Sequence, residues 1–385
     1  MSTRPLKIAL VAGEASGDLL GAGLIAALRE RYPDADFAGI GGPRMVAAGL
    51  DAWWPAERLA VMGLFEVLKH LPSLLSLRRA LVRRLIEWRP DVYVGVDAPD
   101  FNLGVERRLK RSGIRTVHYV SPSIWAWRER RAERIGRSAD RVLCLFPMEP
   151  PIYARHGVDA RFVGHPLADL MPLEPDRAAA RMALGVQGDA PVLALLPGSR
   201  LGEIERLGPL FIGAAARIGA QLPGLRVLAP MATPACRALF ERQLASCGQR
   251  SSIELLDGRA HEAMVAADVV LLASGTAALE AMLAKRPMVV AYRIAPLTAW
   301  LLRTFKVMRT GLFALPNVLA GEAVVPELMQ EQARPEALAE AVLRWFAEPA
   351  CRTAIESRFH ALHLELRRGA DRQAAAAVAE SIGAR

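Results

Sequence analysis

The amino-acid sequence predicts an α/β protein built from two doubly wound parallel sheets. The chain has 385 residues, about twice the length of a common single domain. Short apolar runs rich in Val, Ile and Leu alternate with amphipathic stretches, as strands buried on both faces alternate with helices. Residues 166–189 interrupt this pattern with several Pro and Gly residues before it restarts. We therefore expect two domains of the same class.

The apolar runs define the order of the elements. In the first half, they predict strands at Lys7–Gly13, Asp91–Pro99, Thr116–Pro122 and Arg141–Pro147. The intervening helices are expected at Leu19–Tyr32, Met62–Trp88 and Leu103–Arg111. The second half predicts strands at Pro191–Pro197, Leu225–Pro230, Ile253–Gly258, Asp268–Ser274 and Pro287–Tyr292. The expected division is residues 1–170, residues 171–345 and a helical tail at 346–385.

The composition excludes several classes of protein. A 52% share of hydrophobic residues excludes a disordered chain. The four cysteines have no CxxC spacing and the histidines are isolated, so neither a disulfide framework nor a metal site is predicted. No signal-peptide pattern opens the sequence, and no run of about 18 apolar residues predicts a membrane span. We expect a cytoplasmic protein without a transmembrane segment, soluble or peripherally attached to a membrane.

The net charge of +9 is distributed unevenly. Residues 62–90, 104–137 and 285–309 carry +4, +7 and +6, which leaves −8 on the rest of the chain. Basic patches of this kind bind nucleic acid, anionic membranes or acidic substrates. The sequence shows no RRM, KH or OB signature, and two of the patches are interleaved with apolar residues. This favours lipid over nucleic acid, although an RNA-binding protein remains the alternative from a different class.

Ligands of open α/β sheets bind beside the loops that follow the strands. The loop after the first strand, Gly13–Asp18, has two glycines that allow close backbone approach at the start of a helix. This pattern indicates a binding turn that includes Glu14 and Ser16. The alternative is a tight turn in which Ser16 or Asp18 caps the helix.

A second loop, Asp97–Asn102, delivers two carboxylates and an amide to the same end of the sheet. A carboxylate in this position can act as a general base. Capping is the alternative for Asp100 and Asn102, and we expect Asn102 to be the cap of the following helix. Asp97 lies inside the end of the strand and has no evident capping role.

Two tryptophans, Trp125 and Trp127, lie in the segment Ser121–Arg128 after the next predicted strand. Their rings are suited to stacking on a sugar or to a lipid interface, and filling gaps beneath the loop is an equal alternative.

In the second half, two small-residue turns follow strands at Gly198-Ser199-Arg200 and Ser274-Gly275-Thr276. Turns of this kind at helix starts bind anions, and two of them on one sheet indicate a diphosphate. Glu280 lies one turn into the second helix, where it can meet ribose hydroxyls or simply face solvent. Asn317 is a candidate for supplying an amide to the same site.

A broad apolar stripe precedes a run of basic residues in the first half. Lys69, Arg78, Arg79, Arg83 and Arg84 supply the charges, and the stripe consists of Leu64, Phe65, Val67, Leu68, Leu71, Leu74 and Leu75. This mixture is typical of a helix that inserts shallowly into a membrane. The segment Leu297–Arg309 has the same character. The alternative for each segment is a core helix with a charged edge.

Eight stretches together resemble the lipid-A-disaccharide synthase family of Gram-negative bacteria. They span Val11 to Gly321 in family order and read VAGEASGD, GGPRM, LAVMGLFEVL, VGVDAPDFN, HYVSPSIWAWR, ALLPGSR, ASGTAALEAMLAKRPMVV and LPNVLAG. The resemblance implies a GT-B fold, in which two Rossmann-like domains face each other across a cleft. It also implies a peripheral enzyme on the cytoplasmic face of the inner membrane, in contact with anionic phospholipids. No cofactor or metal is implied, and a homodimer is left open.

The resemblance further implies the reaction and the role of each residue. The family joins UDP-2,3-diacylglucosamine to 2,3-diacylglucosamine 1-phosphate with inversion, forming a β(1→6) disaccharide and UDP. Asp97 would be the base, with Asp100 as the second candidate, and Glu14 and Ser16 would meet the acceptor or the donor sugar. UDP would be held by Gly198, Ser199, Arg200, Ser274, Gly275, Thr276, Glu280 and Asn317. Another GT-B enzyme acting on UDP-N-acetylglucosamine, a transferase or a non-hydrolysing epimerase, is the nearest alternative.

Overall fold

The computed structural model describes residues 4–59, 64–124, 130–248, 253–294 and 312–383, and it describes residues 64–71 by their backbone alone. The chain divides into two compact units. The first unit comprises Met1–Asp169 together with Leu366–Arg385, and the second comprises Leu170–Glu365.

Each unit contains one parallel sheet. In the first unit, the strand order is β3-β2-β1-β4-β5-β6-β7, with β1 at Lys7–Ala12, β2 at Asp36–Gly41, β3 at Asp51–Pro55, β4 at Val92–Val96, β5 at Arg115–Tyr119, β6 at Arg141–Cys144 and β7 at Asp159–Phe162. In the second, the order is β10-β9-β8-β11-β12-β13, with β8 at Val192–Leu196, β9 at Arg226–Met231, β10 at Glu254–Asp257, β11 at Val269–Ala273, β12 at Met288–Tyr292 and β13 at Glu327–Met329.

Helices connect the strands, as parallel pairing requires. Along the first half they are α1 (Ala15–Arg31), α2 (Pro43–Ala47), α3 (Leu64–Trp88), α4 (Pro99–Arg111), α5 (Arg131–Gly136), α6 (Pro150–Ala154) and α7 (Pro166–Leu170). The later helices are α8 (Arg177–Ala183), α9 (Leu201–Gln221), α10 (Pro234–Ser246), α11 (Ala260–Ala266), α12 (Thr276–Leu283), α13 (Leu315–Ala320), α14 (Pro335–Ala347), α15 (Pro349–Leu366) and α16 (Ala370–Gly383). Short 3-10 turns occur at Ala56–Arg58 and Gln330–Gln332.

The first sheet is buried on both faces because its interior strand β1 carries apolar side chains in both directions. Ile8 and Leu10 of β1 join one core cluster with residues of α1 and α16, and Ala9 and Val11 join another with residues of α3 and α4. Successive side chains of a strand point to opposite faces, so a continuous apolar run fills two cores.

The α/β class and the two parallel sheets predicted from the sequence are confirmed. Each of the nine predicted strand segments overlaps a strand. The sequence analysis missed β2, β3, β7 and β13. β2 contains two glycines, β13 has three residues, and β7 alternates exposed with half-buried positions, so none of these is a continuous apolar run.

The chain passes from the first unit to the second at residues 169 and 170, next to the expected boundary of 170 and 171. The expected tail, residues 346–385, does not form a separate part. Most of α15 belongs to the second unit, whereas α16 belongs to the first, where Ala374, Ala375 and Val378 enter its core. The apolar face of α16 is buried against the sheet, so it is an integral helix of that unit.

Gly39 in β2 provides a test of this sheet. It has a φ of 151°, and a Cβ atom there would lie 1.9 Å from the carbonyl oxygen of Leu10 on the paired strand β1. We expect Gly39→Ala to lower the free energy of unfolding by about 3 kcal/mol or more, because both the dihedral angle and the contact become unfavourable. The measurement is urea or thermal unfolding of the purified variant.

Gly219→Ala is the matched control, since Gly219 is an exposed helical glycine with open space around it and should tolerate the methyl group. Equal stability of Gly39→Ala and wild type would contradict this account.

Candidate functional site

Two loops at the carboxyl end of the first sheet meet because their strands are neighbours. β1 pairs with β4, with Ala12 opposite Val96, so Glu14 and Asp97 leave the sheet side by side. A cavity of about 330 Å³ lies at this edge. Its charged lining residues are Glu14, Arg78, Asp97 and Asp100, and its apolar lining residues are Leu59, Leu74, Leu75, Ala98, Pro99 and Phe101. The structure thus groups three of the predicted site carboxylates and two residues of the predicted stripe around one cavity.

The backbone at Asp97 is held in a strained turn. Asp97 and Ala98 have φ values of 51° and 43°, in the left-handed region that non-glycine residues rarely adopt. The N–H of Asp97 donates to the carbonyl of Tyr119 at 2.7 Å, and the carbonyl of Asp97 accepts from the Asn102 amide at 2.8 Å. These two bonds fix the point from which the half-buried Asp97 side chain leaves the sheet.

Asn102 does not cap α4, and this expectation was wrong. The helix begins at Pro99 after Ala98, so Asn102 lies within it and is fully buried. Its Nδ2 lies 3.2 Å from the carbonyl oxygen of Val11 and 3.3 Å from that of Val96, and its Oδ1 accepts from the Tyr93 hydroxyl at 2.8 Å. Asn102 therefore binds the ends of two strands together beneath the cavity.

The three carboxylates of the cavity are chemically available. In the part of the chain that the structure describes, the carboxylates of Glu14, Asp97 and Asp100 make no hydrogen bond or ion pair to another protein group. Glu14 and Asp100 are exposed, and Asp97 is half-buried. Each can accept a proton or a hydrogen bond from a hydroxyl group of a ligand.

The loop before α1 uses its polar side chains in a way that the sequence did not reveal. Glu14 occupies the N-cap position of α1 without a side-chain bond, and Ser16 is exposed and lies outside the lining of the cavity. The buried carboxylate of Asp18 accepts from the N–H groups of Gly42, Arg44 and Met45 at 2.8 to 3.1 Å. Asp18 thus caps α2 and not its own helix.

Two further polar groups near this edge were missed by the sequence analysis. Glu106 and His118 are fully buried, and Glu106 Oε1 lies 2.7 Å from His118 Nδ1. Gly95 on β4 makes room for this pair, because a Cβ atom there would lie 2.3 Å from Glu106 Oε1. A glycine inside a Val-rich strand, followed by a glutamate on the next helix, was the available signal.

Glu149, also missed by the sequence analysis, is a buried acid that follows β6. Its Oε2 accepts from the N–H of Phe146 at 3.1 Å, and the nearby Ser121 hydroxyl lies 2.9 Å from that of Tyr153. Burial raises the pKa of Glu149 to about 8, against the opposing effect of hydrogen bonds to Glu149 from the backbone of Phe146, the hydroxyl of Ser121 and the backbone of Leu145. The Pro-rich sequence around Glu149 carries no motif that indicates a buried acid, and only the burial of its side chain distinguishes it.

The turns of the second unit also follow neighbouring strands, since β8 pairs with β11. In the first turn, Glu203 Oε2 accepts from the N–H groups of Ser199 at 3.0 Å and Arg200 at 3.4 Å. Gly198, with a φ of 133°, makes room for the Glu203 side chain. A carboxylate of the protein therefore takes the position predicted for an anion, while the Arg200 side chain remains 73% exposed.

The second turn is open to a ligand. Gly275 and Thr276 are exposed and Ser274 is half-buried at the start of α12. Glu280 is half-buried within that helix, and burial raises its pKa. Its partial enclosure distinguishes it from an ordinary solvent-facing residue of a helix surface.

Asn317 is held inside the second unit. Its Nδ2 donates to the carbonyl of Val325 at 2.9 Å and to the Glu327 carboxylate at 2.6 Å, and its Oδ1 accepts from the N–H groups of Val324 and Val325, both at 2.8 Å. Both amide donors and the amide oxygen are thus engaged, so direct contact with a ligand requires one of these bonds to be exchanged.

Several predicted segments lie outside the described residues: Trp125, Trp127, the segment Leu297–Arg309, and the side chains of Leu64, Phe65, Val67, Leu68 and Leu71. Among the residues that are described, no three His, Cys, Asp or Glu side chains are grouped as a metal ion would require. No helix within the described ranges is long and apolar enough to cross a membrane.

Solved structures share the fold of this protein. The structure matches the glycotransferase of kitacinnamycin with a TM-score of 0.61 at 19% identity, covering 98% of this chain and 99% of that one. It matches the calicheamicin glycosyltransferase CalG4 with a TM-score of 0.59 at 17% identity, covering 99% of each chain. A UDP-GlcNAc 2-epimerase from Neisseria meningitidis gives a TM-score of 0.64 at 12% identity, covering 99% of this chain and 100% of that one. At these identities the likeness concerns the fold, which is the GT-B fold of glycosyltransferases.

The sequence identifies the family. The profile of lipid-A-disaccharide synthetase matches residues 8–379. A lipid-A-disaccharide synthase of Xanthomonas campestris pv. campestris is 60% identical over 384 residues, covering 98% of this chain and 87% of the relative. That of Xylella fastidiosa strain M12 is 57% identical over 381 residues, covering 98% of both. The chain belongs to the lipid-A-disaccharide synthetase family and is a glycosyltransferase of lipid A biosynthesis.

The buried Glu149 predicts a pH-dependent stability. Its pKa is about 8 in the folded protein and its ordinary value is 4.5, so the folded state holds one more proton between these pH values. Stability should therefore fall as the pH rises through this window. Glu149→Gln keeps an acceptor for the N–H of Phe146 and removes the ionisation. We expect its melting temperature to fall less than that of the wild type between pH 5 and pH 9.

The control is Glu57→Gln, which changes an exposed glutamate by the same chemistry. It should follow the wild-type curve across the pH range. Parallel curves for Glu149→Gln and wild type would show that Glu149 titrates at the same pH in the folded and unfolded states.

Proposed function

We propose that the protein is an inverting glycosyltransferase that joins UDP-2,3-diacylglucosamine to 2,3-diacylglucosamine 1-phosphate. The products would be the β(1→6) disaccharide 1-phosphate and UDP. Family membership supports the reaction class. The single observation that carries the acceptor assignment is the cavity of the first unit, where three carboxylates lie beside a wall of leucine and phenylalanine side chains. Among the described residues, none of the three carboxylates is engaged by another protein group. A sugar that bears acyl chains needs both kinds of surface.

Asp97 is the proposed general base. In a single displacement, the oxygen of the acceptor 6-hydroxyl forms a bond to the anomeric carbon of the donor. The bond from that carbon to the UDP oxygen breaks, and its electrons remain on the diphosphate. The hydroxyl proton passes to the Asp97 carboxylate.

The turn at Asp97, which two backbone hydrogen bonds hold in place, supports this role, because a base must be positioned before the transition state forms. Asp100 is the second candidate, and Glu14 would bind the hydroxyl groups of the sugar, with Ser16 beside it.

The second unit is proposed to hold the donor. Diphosphate would meet the open turn Ser274–Thr276 and the Arg200 side chain beside it, since the two turns follow adjacent strands. At the turn Gly198–Arg200 it would have to displace the Glu203 carboxylate from the N–H groups of Ser199 and Arg200. The exposed Arg200 guanidinium would stabilise the charge that develops on the leaving diphosphate. Glu280 would bind the ribose. We propose that Asn317 acts by holding the loop before β13, since its amide is engaged there.

The base assignment is tested by Asp97→Asn, which keeps the shape of the side chain and removes its basicity. We expect kcat to fall roughly 10²- to 10⁴-fold, with the circular-dichroism spectrum and melting temperature unchanged. Disaccharide and UDP are measured by mass spectrometry after incubation with both substrates. Asp100→Asn is the matched comparison in the same cavity, and we expect a smaller loss. Wild-type turnover in Asp97→Asn, with a large loss in Asp100→Asn, would transfer the role to Asp100.

We also propose that the protein lies peripherally on the cytoplasmic face of the inner membrane and contacts anionic phospholipids there. Both proposed substrates carry acyl chains, so the enzyme must reach them at a bilayer surface. Leu74 and Leu75, at the described end of the apolar stripe, line the cavity itself. This continuity supports a path for acyl chains from the membrane to the site.

Membrane attachment is tested by changing Leu64, Phe65 and Leu68 together to Ser. We expect the variant to lose binding to vesicles that contain phosphatidylglycerol, because the apolar stripe no longer favours insertion. Co-sedimentation with vesicles is the measurement. Met182→Ser is the control, since Met182 is an exposed apolar residue of the second unit and is 79% accessible. Undiminished sedimentation of the triple variant would refute the attachment site.

A further inference from the structure

Two arginines approach each other around Gly104 on α4. The guanidinium of Arg108 donates from Nη1 to the carbonyl oxygen of Gly104 at 2.8 Å. Arg78, on α3, lies against the same glycine, because a Cβ atom there would be 2.6 Å from Arg78 Nη1. Because Gly104 has no side chain, the Arg78 guanidinium occupies the space that a Cβ atom at position 104 would need.

Arg78 has no counterion among the residues whose side chains are described. No such carboxylate lies at ion-pairing distance from its guanidinium, although three carboxylates line the same cavity. Partial burial lowers the pKa of Arg78, and the nearby charges of Arg108 and Arg79 lower it further. A half-buried cation that faces other cations without an anion is unfavourable in the free protein, and an anionic ligand would relieve this.

The surroundings of Arg78 restrict the ligand that supplies this anion. Leu74, Leu75 and Phe101 form the adjacent wall of the cavity, and Asp97 and Asp100 lie in the same lining. A free nucleotide would leave the apolar wall without a partner. A ligand with a phosphate, sugar hydroxyl groups and an acyl chain has a partner for each surface. The phosphate would meet Arg78, the hydroxyl groups would meet the carboxylates, and the acyl chain would meet the apolar wall.

We propose that Arg78 binds the phosphate group of the lipid acceptor and so selects the phosphorylated sugar over its dephosphorylated form. The inference rests on the proposed function, because it assigns the acceptor to this cavity. The guanidinium donates paired hydrogen bonds to phosphate oxygens and neutralises their charge. A phosphate in a phospholipid headgroup has the same chemistry, so the experiment must separate the two sources.

The primary experiment is a competition between two acceptors in one reaction. The full-length enzyme receives the UDP-sugar donor with equal amounts of 2,3-diacylglucosamine 1-phosphate and 2,3-diacylglucosamine, and mass spectrometry gives the ratio of the two products. We expect Arg78→Gln to reduce the preference for the phosphorylated acceptor roughly 10- to 100-fold, as expected for loss of a charge-assisted bond. Its KM for that acceptor should rise more than its kcat falls.

Gly104→Ala tests the same site without removing the charge. The methyl group would displace the Arg78 guanidinium, and alanine is favoured over glycine inside a helix. We therefore expect a reduced preference for the phosphorylated acceptor together with an unchanged or higher melting temperature. Arg107→Gln is the control, because Arg107 is an exposed arginine on α4 that does not line the cavity. It should keep the wild-type product ratio.

The outcomes separate this inference from the proposed function. If the wild type forms neither product, the proposed function fails. If the wild type forms product and Arg78→Gln keeps the wild-type ratio, the phosphate assignment fails. A wild-type product ratio in Arg78→Gln combined with weaker sedimentation on phosphatidylglycerol vesicles would assign Arg78 to phospholipid headgroups and overturn the proposal.

Discussion

The buried amide of Asn102 is the interaction on which the first site depends. It contacts the carbonyl oxygens of Val11 and Val96, at the ends of adjacent strands, and that of Asp97 in the strained turn. Without it, these buried carbonyls would lose a partner, at a cost of about 1–3 kcal/mol for each unsatisfied group. The amide thus holds together the two loops whose carboxylates line the cavity.

The polar residues in and after the loops that follow the strands have two different roles. Asp18, Asn102, Glu203 and Asn317 are engaged by backbone groups and hold loops in place. The carboxylates of Glu14, Asp97 and Asp100 remain unengaged among the described residues. Because the first group satisfies the backbone of the loops, the second group is available for substrate. The rigid loops and the reactive side chains are therefore parts of one arrangement.

The cavity of the first unit combines surfaces that rarely occur together. The lining of this cavity of about 330 Å³ consists of carboxylates, a leucine-rich wall and an arginine that has no counterion among the described residues. A half-buried cation without a counterion among the described residues and incompletely buried apolar side chains both reduce the stability of the free protein, so their retention indicates a ligand that compensates for both. A phosphorylated lipid sugar compensates for both, because its phosphate pairs with the cation and its acyl chain covers the apolar side chains.

The sequence by itself determined the α/β class, nine of the strands, the loops that carry the site and, through family motifs, the reaction class. It did so because continuous apolar runs and small-residue turns depend on neighbours along the chain. Only the tertiary structure separated the capping role of Asp18 and the buried role of Asn102 from the open carboxylate of Asp97. It also placed Arg78 against Gly104 and enclosed Glu149. Burial and partners distant in sequence, such as Gly42 for Asp18, Val11 for Asn102 and Gly104 for Arg78, decide such roles, and no local pattern encodes them.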